Sequence, residues 1–213
     1  MHVSHGPQSD RTHLESPVVA PVLRTPRLIL RPHRMSDAAD WLRIEQDPRV
    51  RDGLHWPVRD ERQMMERLRA RTLHTRLWQV DDFLALAIER DGVVIGDVSM
   101  HLRDAAPGSR TVEMGWLLRS QHGGRGYATE AAQSFLGFAF HTLEVRWVSA
   151  VIDVGNERSI ALARRLGFVR VAQSGRKATF LIDTAPLDGL DAIEAATPAA
   201  ECIRCELDLC SPS

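Results

Sequence analysis

The segment Gln121-His122-Gly123-Gly124-Arg125-Gly126-Tyr127-Ala128 sets three glycines and an arginine directly before an amphipathic run. Glycine reaches positive φ at little cost and carries no Cβ, so main-chain N–H groups there can point at a ligand. At a helix N-terminus those orphan donors, with the helix dipole behind them, bind phosphate oxygens. Arg125 adds a direct charge. Two common phosphate loops are excluded by spacing. No Gly-Lys-Ser/Thr follows, and Thr129 stands where a dinucleotide fingerprint needs its last glycine. The other use of the same residues is a plain glycine turn between strand and helix.

Other side chains carry their own options. Glu113, on the run leading into the loop, can take a proton or serve as a strand-end ion-pair partner. Asn156 precedes a helical run and suits an N-cap, and Ser159 fits its first turn. Arg158 is either a ligand for phosphate or a solvated helix charge. His55, Trp56 and Trp116 offer ring surfaces to a substrate, while the two indoles equally suit core or rim. No histidine pair has metalloprotease spacing, and Cys202, Cys205 and Cys210 form an odd set without a fourth ligand. No metal is expected, and the thiols read as free.

The elements that must position these groups follow from periodicity. Residues 27–31 form a strand closed by Pro32. Ser36 and Asp37 cap a helix that stops near Asp47-Pro48, residues 52–57 form a loop, and a second helix runs over about 60–76. Residues 83–89 and 93–101 are strands joined by the turn pair Asp91-Gly92, and a third strand at Thr111–Leu118 completes an antiparallel meander. Ala128, Ala131, Ala132, Phe135, Phe138 and Ala139 mark a helix after the glycines. Strand Trp147–Asp153, a helix over 156–166 and a strand over 168–171 favour a parallel pairing with a right-handed crossover. Strands over 179–183 and 201–209 close the chain. The fold class is α+β, with residues 1–22 a mobile leader, 23–213 one domain and 184–200 an irregular loop.

Composition limits the function classes. The chain has 213 residues, 44% hydrophobic and 26% charged, with a net charge of −1. A soluble core can form, and neither nucleic acid nor an anionic membrane finds the basic excess it needs. The first residues lack the apolar core of a signal peptide, so a cytoplasmic protein is expected.

Q-x-x-G-x-G opening a helix resembles the acyl-CoA pyrophosphate motif of the GNAT superfamily of N-acyltransferases. The surroundings are similar to its RimJ/RimL branch of ribosomal-protein N-terminal acetyltransferases. The segments that carry the resemblance are TPRLILRP at 25–32, DGVVIGDV at 91–98, EMGWLL at 113–118, GGRGYATEA at 123–131 and DVGNERSIALARRLGF at 153–168. It covers about residues 24–172 and weakens beyond. The resemblance implies a mixed, mostly antiparallel central sheet, splayed in its middle and flanked by helices. It further implies that backbone groups of Leu118 and Arg119 meet the pantetheine arm, and that amides from Gly124 through Tyr127 to Ala128 hold the diphosphate, with Gly123, Arg125 and Gly126 shaping that loop. Asn156 touches pantetheine and Arg158 a phosphate. Acetyl-CoA, or another acyl-CoA, is the implied co-substrate and an amine the acceptor, with His55, Trp56 and Trp116 lining its site; a homodimer stays open.

The implied reaction is attack of a neutral amine on a thioester. A lysine amine is only about 0.04% neutral at pH 7, an α-amine roughly 14%. An N-terminal acceptor therefore needs less help from a base, for which Glu113 is the candidate. The tyrosine acid of many GNAT enzymes is replaced by Ala163, which leaves Ser159 or water to protonate the thiolate. A protein or peptide α-amine is the expected acceptor. The competing readings are a small-molecule amine, a larger acyl-CoA, and a non-catalytic acyl-CoA sensor.

Overall fold

The computed structural model describes residues 12–183. Strand β1 (His13–Val19) and strand β2 (Leu23–Arg24) lead into β3 (Ile29–Pro32). Three helices follow: α1 (Ala38–Glu45), α2 (Pro48–Leu54) and α3 (Glu61–Leu73). Next come β4 (Arg76–Gln79), β5 (Phe83–Arg90), β6 (Val93–Asp104) and β7 (Thr111–Leu118). Helix α4 (Tyr127–His141), β8 (Trp147–Asp153), α5 (Glu157–Arg165), β9 (Val169–Ser174) and β10 (Lys177–Asp183) complete the chain. No helix among the described residues is long and apolar enough to cross a membrane.

Eight strands make the main sheet in the order β2-β3-β5-β6-β7-β8-β10-β9. The meander β5-β6-β7 forms as expected, and Asp91 and Gly92 both take positive φ (51° and 79°) at its first turn. The sheet separates two apolar clusters. Leu86 and Ile88 of β5 join Phe135 and Phe138 of α4, whereas Ala87 between them joins Trp41, Ile44 and Leu68 of α1 and α3. Strand alternation thus buries both faces of β5, which explains its unbroken apolar run.

Three expectations need correction. The segment 13–19, placed in a mobile leader, is a strand that pairs antiparallel with β4, an element that sequence periodicity also missed. Pro17 and its polar neighbours break the alternation that would have announced it. Residues 48–54, assigned partly to a loop, are helical. Asp47 accepts the Arg49 amide at 3.0 Å as N-cap, and Pro48 occupies the first helical position. The pairing expected between β8 and the next strand does not occur, because β10 folds back from a hairpin at Gly175 and inserts between β8 and β9, antiparallel to both. The parallel pair of the main sheet is instead β7 with β8, crossed over by α4. The loop expected at 184–200, the strand at 201–209 and the three cysteines lie outside the described residues.

Candidate active site

The β7–β8 ladder has only three rungs, Thr111 opposite Trp147, Val112 opposite Val148 and Glu113 opposite Ser149. Beyond Glu113 the strands part, although β7 stays paired to β6 as far as Leu118 opposite Gly96. The splay is thus real and one-sided. Arg119 donates its amide to Ile95 at 2.9 Å, which makes Leu118–Gly96 a non-hydrogen-bonded pair of the antiparallel ladder. Leu118, and Trp116 by alternation, therefore turn their peptide groups towards the gap. Arg119 does not meet its expectation: its N–H serves Ile95 and its C=O accepts from His122 at 2.9 Å.

At the open end of β7 lies a cleft of about 1170 Å³, walled by α2, the glycine loop and the N-terminal turns of α4 and α5. A smaller cavity of about 90 Å³ continues it between β7 and β8, sharing Gly53, Leu54, Trp116, Asn156 and Ser159. Gly124 and Gly126 adopt left-handed φ of 76° and 80°, Gly126 as the N-cap of α4. A Cβ on Gly124 would meet nothing within 4 Å, so the loop presents bare backbone to open space. Among the described residues, no hydrogen bond uses the amides of Gly124 through Thr129; the first helical donor, Glu130 N–H, already bonds Gly126. This row of unpaired donors suits a diphosphate.

The local field has the matching sign. His122, whose ring is partly buried and faces Arg119, Arg125 and Arg90, is pushed below the usual imidazole range by burial first and by those cations next. Tyr127 is buried, with the guanidinium groups of Arg27 and Arg90 at 4.6 and 4.9 Å from its ring centre, so it contributes backbone rather than its phenol. Arg27 also donates to the Arg125 carbonyl at 3.0 Å and to Glu130 at 2.7 Å, which staples β3's approach to the loop. Arg158 lines the cleft. The guanidinium groups of Arg125 and Arg158 have no partner among the described residues.

Helix α2 is pinned across this site at three points. Asp47 accepts the Ser120 amide at 2.7 Å, Asn156 Nδ2 donates to the Gly53 carbonyl at 2.9 Å, and His55 Nε2 lies 2.9 Å from Asp153 Oδ2. His55 caps α2 with left-handed φ and ψ of 54° and 36°, an uncommon conformation outside glycine. Asp153 also accepts the Gly155 amide and both ends of the Arg176 guanidinium. Burial by itself would raise the Asp153 carboxyl, but the Gly155 amide, Arg176 and His55 outweigh it and hold it at about 2.

The sequence-picked residues divide accordingly. Leu118, the glycines, Tyr127, Ala128, Asn156, Arg158, Ser159 and Trp116 converge on the cleft. Asn156 fulfils the N-cap alternative, since its Oδ1 accepts the Ser159 amide at 3.1 Å, yet it still lines both cavities. The Ser159 hydroxyl has no partner among the described residues and faces both cavities. Trp56 does not reach the cleft; it packs against the α1–α3 core under Arg67 and Arg59, at 4.5 and 5.5 Å. Glu113 lines neither cavity and is 3.3 Å from Arg103, as its ion-pair alternative anticipates. Sequence reasoning missed Asp47 and Asp153. Asp153 opens the D-x-x-N stretch already singled out, but nothing local shows that its partner is a histidine from another element.

Known proteins bear on this geometry. An acetyltransferase (GNAT) domain matches residues 27–169. The chain is 29% identical over 147 residues to the uncharacterized N-acetyltransferase p20 of Bacillus licheniformis, taking in 68% of this chain and 81% of that one. It is 34% identical over 79 residues to a Bacillus subtilis protein named as a ribosomal N-acetyltransferase, YdaF; the match takes in 37% of this chain and less than half, 42%, of YdaF. The structure of an acetyltransferase from Agrobacterium tumefaciens is similar with a TM-score of 0.60 and 28% identity, over 78% of this chain and 95% of that one. RimL, a ribosomal L7/L12 alpha-N-protein acetyltransferase in complex with coenzyme A, shares the fold with a TM-score of 0.60 at 17% identity, over 78% of this chain and 98% of its own.

Proposed function

The chain belongs to the GNAT acetyltransferase family, and from that premise we propose that it transfers an acetyl group from acetyl-CoA to a primary amine, most readily the α-amine of a protein or peptide. One observation carries this reading: the unpaired amides of Gly124 through Thr129 open onto a cleft that continues into the gap between β7 and β8. A diphosphate on those amides sends its pantetheine arm along Leu118 and Trp116, whose free peptide groups suit an amide-bearing chain. The thioester then lies beside Ser159, whose hydroxyl can protonate the departing thiolate. The names of YdaF and RimL, and the larger neutral fraction of an α-amine, support the acceptor class.

The amine must lose a proton before it attacks. Glu113 remains a candidate acceptor, but Arg103 holds it outside the cavities. His55 fits better. Asp153, ionised throughout the working range, accepts from Nε2–H and leaves Nδ1 as the nitrogen with a lone pair, on a half-exposed ring beside the cavity wall.

Thiol release from acetyl-CoA, measured across peptides and small amines, tests the activity. Tight coenzyme A binding without release on any amine would favour the sensor alternative. On an α-amine peptide, His55→Gln is expected to lower the rate by about 100-fold, as for loss of a general base, and Glu113→Gln by far less. The opposite ranking would return the role to Glu113.

A further inference from the structure

Of the 27 basic side chains, 26 are arginine, and Lys177 is the sole lysine. Its position is not neutral ground. It opens β10 opposite Asp153 and walls the small cavity between β7 and β8 together with Trp116, Asn156 and Ser159. The carboxylate nearest in register cannot hold it, because both oxygens of Asp153 are taken by Gly155, Arg176 and His55. The ammonium has no partner among the described residues. Arginine and lysine would serve equally as a solvated charge, but only lysine can shed its proton and become a nucleophile.

We propose that Lys177 is an acceptor for the chain's own reaction, a self-acetylation site. The inference rests on the acetyl-transfer reading above. The ε-nitrogen, once neutral, attacks the thioester carbon of acetyl-CoA held in the adjoining cleft. A C–N bond forms and the C–S bond breaks. Sulfur leaves with the electron pair and gains the proton that nitrogen sheds, giving Nε-acetyl-Lys177 and free coenzyme A thiol. A flexible four-carbon stem on an exposed residue at the edge of the small cavity, which adjoins the cleft, supplies the proximity that a free lysine lacks. The acetylated side chain is neutral and bulkier, so it narrows the gap between the strands and slows transfer to outside amines.

The test incubates the full chain with acetyl-CoA and no acceptor, and follows acetylation by intact mass and peptide mapping. Expected is one acetyl group on Lys177, formed at least about 100-fold faster than on the same lysine in a short peptide covering 170–183, at a rate per molecule independent of protein concentration. Lys177→Arg carries none in that peptide, and Gly124→Val, which damages the cofactor loop, acquires it at no more than the peptide rate. A chain that releases thiol with added amines yet leaves Lys177 unmodified overturns the inference while sparing the activity. Equal labelling of the native chain and the short peptide also overturns it, as ordinary chemical acetylation. Failure of thiol release with every amine would instead remove the activity on which it rests.

Discussion

The two faces of the sheet solve the problem of charge in opposite ways. On the side of the glycine loop, the donors are backbone amides without partners among the described residues, and the guanidinium groups of Arg125 and Arg158 are likewise unpaired there. On the side of α1 and α3, ionised groups are buried and paired. Asp97 lies at the centre of β6 between His33 at 2.8 Å and Arg71 at 3.0 Å. Glu45 holds Arg67 and Arg59, and Arg31 bridges Asp37 and Glu89. One region keeps its hydrogen-bonding capacity for a ligand; the other has spent it on fixing the helices to the sheet. A change in the first should therefore appear in binding, and in the second in stability.

The largest effect is expected at Asp97. Burial would raise its carboxyl, but Arg71 and His33 bring it down to about 2. Asp97→Asn leaves Arg71 short of a counter-charge and should cost about 3 kcal/mol in urea unfolding, as for breaking a buried pair. Coenzyme A affinity of the folded fraction should hold; a parallel loss of affinity would merge the two regions into one. The sign of the pH effect follows. Because the folded pKa is depressed, this stabilisation is present above the unfolded value of about 3.9 and is lost as pH falls towards 2.

Next comes Gly124→Val. A branched side chain at a left-handed position, in front of the unpaired amides, should weaken coenzyme A about 100-fold by calorimetry, with urea stability changed much less. Unchanged affinity would remove the loop from the binding site. An effect confined to acid pH is expected at His101, which burial, then Arg103, His74 and Arg71, push down to about 3. Its folded pKa lies below the unfolded value near 6.5, so its neutral form supports the fold above that pH and progressively less on the way down to 3. His101→Phe should flatten the fall in stability between those limits, read from denaturant midpoints at stepped pH. An unchanged slope would show that His101 already charges in the native state.

The same contrast explains what was legible in the sequence. Gly124 and Gly126 announce a backbone site because their requirement is local: positive φ ahead of an apolar helical period. Asp91-Gly92 fixes a hairpin for the same reason. Asp97 and Asp153 give no such signal, since each is one aspartate in a strand until a histidine and an arginine arrive from distant segments. Glu113 shows the converse. The sequence offers it as a base or as a strand-end ion-pair partner, and only the fold shows Arg103 beside it. The insertion of β10 between β8 and β9 was equally invisible, because strand order depends on which edge remains free, and no local period encodes that. Pro48 was legible and misread: a proline that ends one helix can also start another.

The caps of helix α2 reach both sides, Asp47 the glycine-loop side through Ser120 and His55 the opposite wall through Asp153. Any ligand that displaces this helix in one compartment alters the free energy of occupancy in the other, and linkage makes the influence mutual and equal in both directions. In the proposed reaction, donor and acceptor would thus be joined thermodynamically through one seven-residue helix before they are joined chemically.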